Sequence, residues 1–325
     1  MEATVKFEKR KLLLYIILFA AATRLAIGIF VTNTFDLYWY RTWIVDIQNG
    51  LFNIYSRADQ IKLDYPPLFV VLIYPISLLY RIIPPDVFEM ADMFFLKLIP
   101  IVFDLLSAFL IFKITDDDQN YGIFALALWL LNPSVFFNST IWGQTDSVLS
   151  FLILLTFYFL LKRRPVISTV IFACACMIKY QCAFLAPIFL IAMFDILIEK
   201  KLRDFFYCVL AGILTVAAVF VPFSIGAGKP FLIFDVYFGS TGSYPYCTVN
   251  AANLYAVLGL NWEPHTTEFV FGISFSIFGY IMLLLGIAFI FFVWFKGKRK
   301  SIFLASVFLM QHLFIFMTDM HERYQ

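Results

Sequence analysis

The residues able to do chemistry fall in a few short polar clusters set into an otherwise apolar chain. Asp36 lies in Phe35-Asp36-Leu37-Tyr38-Trp39-Tyr40-Arg41-Thr42-Trp43. A carboxylate held among aromatics at the mouth of a membrane span is partly desolvated, which suits a general base. The competing reading is an interfacial carboxylate paired with Arg41 in an aromatic belt. Trp142-Gly143-Gln144-Thr145-Asp146 joins two apolar runs. An indole face can stack on a pyranose ring while the amide and carboxylate bond its hydroxyls; Asp146 could equally cap the helix that follows. Lys179-Tyr180-Gln181 interrupts two apolar runs with no other charge nearby. A cation there calls for an anion, and a phosphate fits; snorkelling to lipid headgroups is the alternative. His321-Glu322-Arg323-Tyr324 sets two possible phosphate ligands, His321 and Arg323, around a carboxylate, and an arginine fork matches phosphate geometry. The bland reading is a polar segment where the chain leaves the membrane.

Two further clusters carry weaker signals. Asp64-Tyr65-Pro66-Pro67 reads as a helix start, with Asp64 or Tyr65 as the cap and the prolines in the first turn. Asn250 and Asn253, close to Tyr255 and preceded by Ser243-Tyr244-Pro245, read either as hydroxyl-recognising groups or as ordinary turn residues.

The elements that position these clusters are membrane helices. Hydrophobic residues make up 62% of 325 positions and charged ones 14%, with a mean hydropathy of +0.87. A soluble fold cannot cover that much apolar surface. Apolar runs fall near 12–31, 93–113, 121–137, 147–161, 165–178, 182–198, 204–224, 268–295 and 301–318. A crossing needs about 20 residues, so 147–161 and 165–178 are marginal. In hydrocarbon the backbone must satisfy itself, and the runs are helices. The expected fold is therefore all-α: a polytopic membrane protein of about nine transmembrane helices, forming one integral-membrane domain over 1–325.

Four basic clusters, around Lys6–Lys11, Lys162–Arg164, Lys200–Arg203 and Lys296–Lys300, mark the cytoplasmic face by the positive-inside rule. An even number of crossings must then separate Lys11 from Lys162, yet five apolar runs lie between them once 67–83 is counted. That segment is short, opens on Pro66-Pro67, contains Pro75 and is followed by Pro84-Pro85. It reads as a re-entrant or interfacial helix within one long external loop, 32–92. The 225–267 segment becomes a second external loop. All the polar clusters above then share the external or lumenal face.

Composition narrows the chemistry further. The five cysteines lie mostly in or beside apolar runs and show neither a disulfide framework nor metal-ligand spacing. The chain has no phosphate-cradling glycine loop and no nucleotide fingerprint, so transport driven by ATP within this chain is not expected. Neither is a cofactor, a metal or a nucleic-acid partner. The first apolar run is too long for a cleaved leader and reads as an anchor. The end at Gln325, on top of a polar motif, reads as a C-terminal truncation or a dependence on a partner chain.

Taken in order, Asp36, Leu63-Asp64-Tyr65-Pro66-Pro67-Leu68, Trp142-Gly143-Gln144-Thr145-Asp146, Ile178-Lys179-Tyr180-Gln181, Val249-Asn250-Ala251-Ala252-Asn253-Leu254 and Met320-His321-Glu322-Arg323-Tyr324 resemble the GT-C superfamily of integral-membrane glycosyltransferases. The resemblance is nearest to its polyprenyl- or dolichyl-phosphate-hexose branch. It implies a polyprenyl-phosphate sugar donor and inverting transfer of a hexose to a glycan, lipid or protein hydroxyl. Asp36 would be the base, and Lys179, His321 and Arg323 would hold the leaving phosphate. Asp64, Tyr65, Trp142, Gln144, Asp146, Gln181, Asn250, Asn253 and Glu322 would contact sugar or acceptor. No Asp-x-Asp stands in the first external loop, which argues against a metal-dependent relative. The competing class is a transporter or flippase for a lipid-linked or anionic substrate. It predicts internal repeats and mid-membrane charges, of which Asp104 is the main example.

Overall fold

The computed structural model describes residues 2–115, 119–198, 202–239, 245–296 and 302–321. They are overwhelmingly helical and group into two compact units, Met1–Tyr180 with Cys208–Val236, and Gln181–Tyr207 with Tyr237–Gln325.

In the first unit, α1 (Glu2–Phe30) is followed by α2 (Thr34–Asp46). The entry to α2 is set by Asn33, whose side chain accepts from Phe35 N at 3.1 Å, an N-cap that leaves Asp36 in the helix's first turn. A short α3 (Ala58–Ile61) leads to α4 (Pro67–Leu79), α5 (Pro85–Ile114) and α6 (Gln119–Leu131). Pro67 and Pro85 open their helices where a missing N–H costs nothing. Neither Asp64 nor Tyr65 caps α4: its N-cap is Pro66, with no side-chain cap bond.

The 121–137 run does not form one straight helix. Asn132-Pro133 ends α6, because a proline disfavours helical backbone at the residue before it. The chain resumes as α7 (Pro133–Phe136) and a π-helix (Phe137–Trp142), bent by 50° from α6. Then come α8 (Asp146–Leu161), α9 (Pro165–Ile178), α10 (Ala186–Ile198), α11 (Leu202–Ala227) and α12 (Leu232–Phe238). α10 and the first residues of α11 belong to the second unit.

The second unit adds α13 (Leu254–Val257), α14 (Phe275–Lys296) and α15 (Ile302–Phe316). α14 and α15 cross closely: a Cβ on Gly286 would stand 2.5 Å from the His312 ring. Trp294 Nε1 of α14 donates to Asp195 Oδ1 of α10 at 3.1 Å. Two short parallel strands, β1 (Thr248–Val249) and β4 (Met320–His321), pair Thr248 with Met320 and Val249 with His321. The expected 268–295 span is shorter than its apolar run. Residues 268–274 instead make a hairpin of β2 (Glu268–Val270) and β3 (Ile273–Ser274). Positive φ at Phe271 and Gly272 reverses the chain, and Glu268 Oε1 accepts from Gly272 N at 2.8 Å.

Among the described residues, five helices are long and apolar enough to cross a bilayer: Lys11–Phe30, Ala91–Ile114, Tyr180–Ile198, Leu202–Ala227 and Phe275–Lys296. The bent pair Asn120–Leu131 with Pro133–Trp142 makes a sixth. Three other expected spans form shorter apolar helices, Asp146–Leu161, Pro165–Ile178 and Leu304–Phe316. The protein is thus a multi-pass, all-α membrane protein. α4, at 13 residues, is about 20 Å long against the roughly 30 Å of hydrocarbon it would have to cross.

Candidate functional site

In the first unit the structure brings together six residues singled out by sequence: Asp36, Tyr65, Trp142, Gln144, Asp146 and Lys179. Asp36 is buried, 5% exposed. Its Oδ2 accepts from Trp142 Nε1 at 2.6 Å and from Gln144 Nε2 at 2.5 Å. Two donors on one oxygen fix the plane of the carboxylate. Trp142 ends the π-helix, and Gly143 turns the chain with φ +74 so that Gln144 meets the same carboxylate. Only glycine fits there. A Cβ would stand 2.7 Å from Leu37 Cδ2 and 3.0 Å from Lys97 Cγ, so the loop lies directly on α2.

Arg41, the partner that sequence offers to Asp36, has its Nε 2.6 Å from Asp92 Oδ2. Gln144 has no exposure and bonds at both ends of its amide. Its Oε1 accepts from Tyr40 OH at 3.3 Å, and the Tyr40 and Tyr65 hydroxyls lie 2.9 Å apart. Burial first, then the neighbouring Tyr65 and Asp36, pushes the Tyr40 phenol well above its ordinary range. Burial raises Tyr65 too, with Lys179 pulling the other way. Both therefore keep their protons at working pH and act as hydrogen-bond donors.

The chain of contacts continues to a second charged centre. Lys179 Nζ lies 5.9 Å from the Tyr65 ring centroid, within cation–π reach, and 2.6 Å from Asp146 Oδ1. Asn138 Nδ2 donates to Asp146 Oδ2 at 3.2 Å. The anion that the isolated lysine called for is thus, in this structure, a protein carboxylate. Snorkelling is overturned, because the lysine side chain is only 7% exposed and ion-paired. The capping reading of Asp146 gives way as well: Asp146 is the first residue of α8, after Thr145, and its carboxylate crosses to α9's end. Two buried polar atoms beside this centre, Asn138 Oδ1 and Thr145 Oγ1, have no hydrogen-bond partner among the described residues. Left so they would be costly, and a polar ligand would satisfy them.

The remaining candidates fall elsewhere. Asp64 is exposed in the segment before α4. Gln181, in the second unit, has a buried Oε1 with no partner among the described residues. Asn253 N-caps α13, accepting from Ala256 N at 3.2 Å. Asn250 takes positive φ, and its Oδ1 accepts from Asn261 Nδ2 at 2.9 Å and Trp262 Nε1 at 3.2 Å. Both asparagines make bonds within their own turns, while Asn253 Nδ2 is buried with no hydrogen-bond partner among the described residues. His321 pairs through its backbone in β4, while Glu322 and Arg323 lie outside the described residues. Sequence reasoning passed over Tyr40, Asn138 and Lys97. A lysine inside the 93–113 apolar run was a usable signal; nothing distinguished Tyr40 from the other aromatics around Asp36.

Comparison with known proteins places the chain in a family. A curated relative, GPI mannosyltransferase 1 of Dictyostelium discoideum, is 26% identical over 146 residues, 45% of this chain and 31% of that protein. This chain therefore matches under a third of that protein's length. The profile of glycosyltransferase family 87 matches residues 63–317, which takes in Tyr65, Trp142, Gln144, Asp146 and Lys179 and leaves Asp36 on its N-terminal side. With most of its length so matched, the chain belongs to glycosyltransferase family 87.

Proposed function

We propose that this glycosyltransferase moves a hexose from a polyprenyl-phosphate donor to a hydroxyl of a lipid-linked glycan, glycolipid or protein at the external or lumenal face, with inversion. The observation that carries the reading is the polar chain from Asp36 through Gln144, Tyr40 and Tyr65 to Lys179 and Asp146. It holds an oriented carboxylate at one end and a cation at the other, the two groups that transfer from a phosphate requires.

In the proposed step Asp36 takes the proton of the acceptor hydroxyl. That oxygen bonds to the anomeric carbon from the face opposite the phosphate, and the C1–O bond to phosphate breaks with its electron pair on the departing oxygen. Lys179 faces the charge that develops there, the electrostatic contribution such sites rely on most. Trp142 and Gln144 keep the Asp36 carboxylate in one plane. Asn138 Oδ1 and Thr145 Oγ1 offer the sugar an acceptor and a hydroxyl. His321 and Arg323 are proposed as further phosphate ligands. The transporter alternative has less support: the family match favours sugar transfer, and Asp104 is already engaged with Arg24 at 3.4 Å.

The test is a donor panel. Purified protein in lipid nanodiscs is given polyprenyl-phosphate [14C]mannose and [14C]glucose with membrane glycolipid acceptors. Mannose comes first, because the Dictyostelium relative is named a mannosyltransferase. The expected result is release of polyprenyl phosphate with label in the acceptor. Movement of intact labelled donor across a bilayer without cleavage would overturn the reading. The face is tested by cysteines replacing Asp59 and Asp86, on either side of α4, and both should label from outside.

A further inference from the structure

α5 grips the α1–α2 segment at three places through buried charge. Asp104 Oδ2 lies 3.4 Å from Arg24 Nε, both side chains having no exposure. Lys97 Nζ, also unexposed, donates to Gly28 O at 2.7 Å, Val31 O at 2.8 Å and Thr32 Oγ1 at 2.7 Å. Asp92 Oδ2 lies 2.6 Å from Arg41 Nε. The positions descend along α5 (104, 97, 92) as their partners ascend along α1–α2 (24, 28–32, 41), as antiparallel neighbours must. Asp36 falls between the last two clasps.

Lys97 is the least expected of the three. An ammonium in an apolar interior is costly unless every N–H finds an acceptor, and here all three do. Two of its acceptors are carbonyls at and just past the C-terminus of α1, the kind of group a helix end leaves open, at the negative end of the α1 dipole; the third is the Thr32 hydroxyl. It fixes where the chain leaves α1, four residues before Asp36. The Lys97 stem also packs at Gly143, where a Cβ would stand 3.0 Å from its Cγ, and Asn33 N donates to Ile141 O at 2.9 Å. Lys97 thus ties the start of α2 to the loop that carries Trp142 and Gln144.

We infer that Lys97 is a positioning residue: it sets the Asp36 carboxylate against Trp142 Nε1 and Gln144 Nε2 by holding the end of α1 in place. The inference rests on the reading of Asp36 as the base. A group that only stabilised the helix bundle would change yield and melting temperature. A positioning group changes kcat per folded molecule and the indole hydrogen bond itself.

The experiment compares Lys97→Met, Thr32→Val and Asp36→Asn in nanodiscs, using the polyprenyl-phosphate hexose that the panel identifies. Thr32→Val removes one of the three acceptors while keeping side-chain shape, and it carries the test where Lys97→Met does not fold. Expected for Lys97→Met is a fall of about 10²-fold in kcat with donor KM unchanged, the scale of a misplacement near 1 Å. Expected for Thr32→Val is a several-fold fall in kcat. In both, the Trp142 indole band in ultraviolet resonance Raman, isolated by difference from Trp142→Phe, moves toward a weaker hydrogen bond. Wild-type kcat and an unmoved indole band in Thr32→Val would overturn the inference. An inactive Asp36→Asn beside a fully active Lys97→Met would remove Lys97 alone. An active Asp36→Asn would remove the base itself.

Discussion

Two polar regions of this protein, read from sequence as the same kind of site, are built in different ways. Around Asp36, Gln144 and Lys179 side chains meet side chains from distant parts of the chain. Trp142 and Gln144 reach Asp36 across 106 and 108 residues, and Lys179 reaches Asp146 across 33. In the second unit Asn253 bonds its own helix start, and Asn250 bonds residues 11 and 12 positions away. The lesson concerns where polar atoms spend their bonds. A side chain that satisfies nearby backbone is explained by the turn it makes. Long-range bonds between buried side chains, beside acceptors still unfilled, are not explained by any local turn, and they are what the proposed site rests on.

The contrast can be broken most directly at Asp36. Asp36→Asn keeps shape and still meets both donors through its Oδ1, but it cannot take up a proton at neutral pH. Activity should fall by about 10²–10⁴-fold while the protein folds and binds polyprenyl phosphate. Asp146→Asn, measured beside it, should be the less damaging. Near-normal turnover in Asp36→Asn would reduce the first region to a packing device.

The Lys179–Asp146 pair gives the next largest effect. Lys179→Ala should weaken donor affinity by about 1.5–3 kcal/mol, the size of a lost charge-assisted contact, and Lys179→Arg should be tolerated better. Part of the damage in Lys179→Ala is the stranded Asp146 carboxylate. Lys179→Ala combined with Asp146→Asn should therefore recover melting temperature but not donor affinity. If the double variant recovers both, Lys179 serves Asp146 and not the donor.

In the second unit the effects should be smaller and confined to stability. Asn253→Ala removes an N-cap and should cost about 1 kcal/mol, read as a lower melting temperature with unchanged turnover per folded molecule. A collapse of kcat would instead restore Asn253 as a substrate contact. The smallest effect is pH-dependent. Asp319 accepts the 2.7 Å contact of His265 Nδ1, yet burial outweighs His265 and holds its carboxyl above the ordinary aspartate range. A group raised in the folded state supports it below the unfolded pKa and loses that contribution as pH climbs through the folded one. Wild type should thus lose stability relative to Asp319→Asn as pH rises from the ordinary aspartate range through the raised one. Melting curves across that interval that stay parallel would remove the claim.

The amino-acid sequence alone determined that this is a helical protein solvated by lipid, because its apolar excess has no other solvent. It also marked Asp36, the 142–146 segment and Lys179, since polar residues at the ends of apolar runs stand out against that background. The shortness of α4 was legible from its prolines, whereas the 121–137 run was read as one span and the structure breaks it at Asn132-Pro133. Only the tertiary structure decided who meets whom: Asp146 as the anion of Lys179, Trp142 and Gln144 on one oxygen of Asp36, Lys97 under the end of α1. The physical reason lies in the solvent. A helix in water shows its packed face by the spacing of its apolar residues, whereas one in lipid is apolar on every side. No periodicity then says which face of α5 meets α1, or which turn of α9 lies beside α8, so those pairings become visible only once the helices are packed.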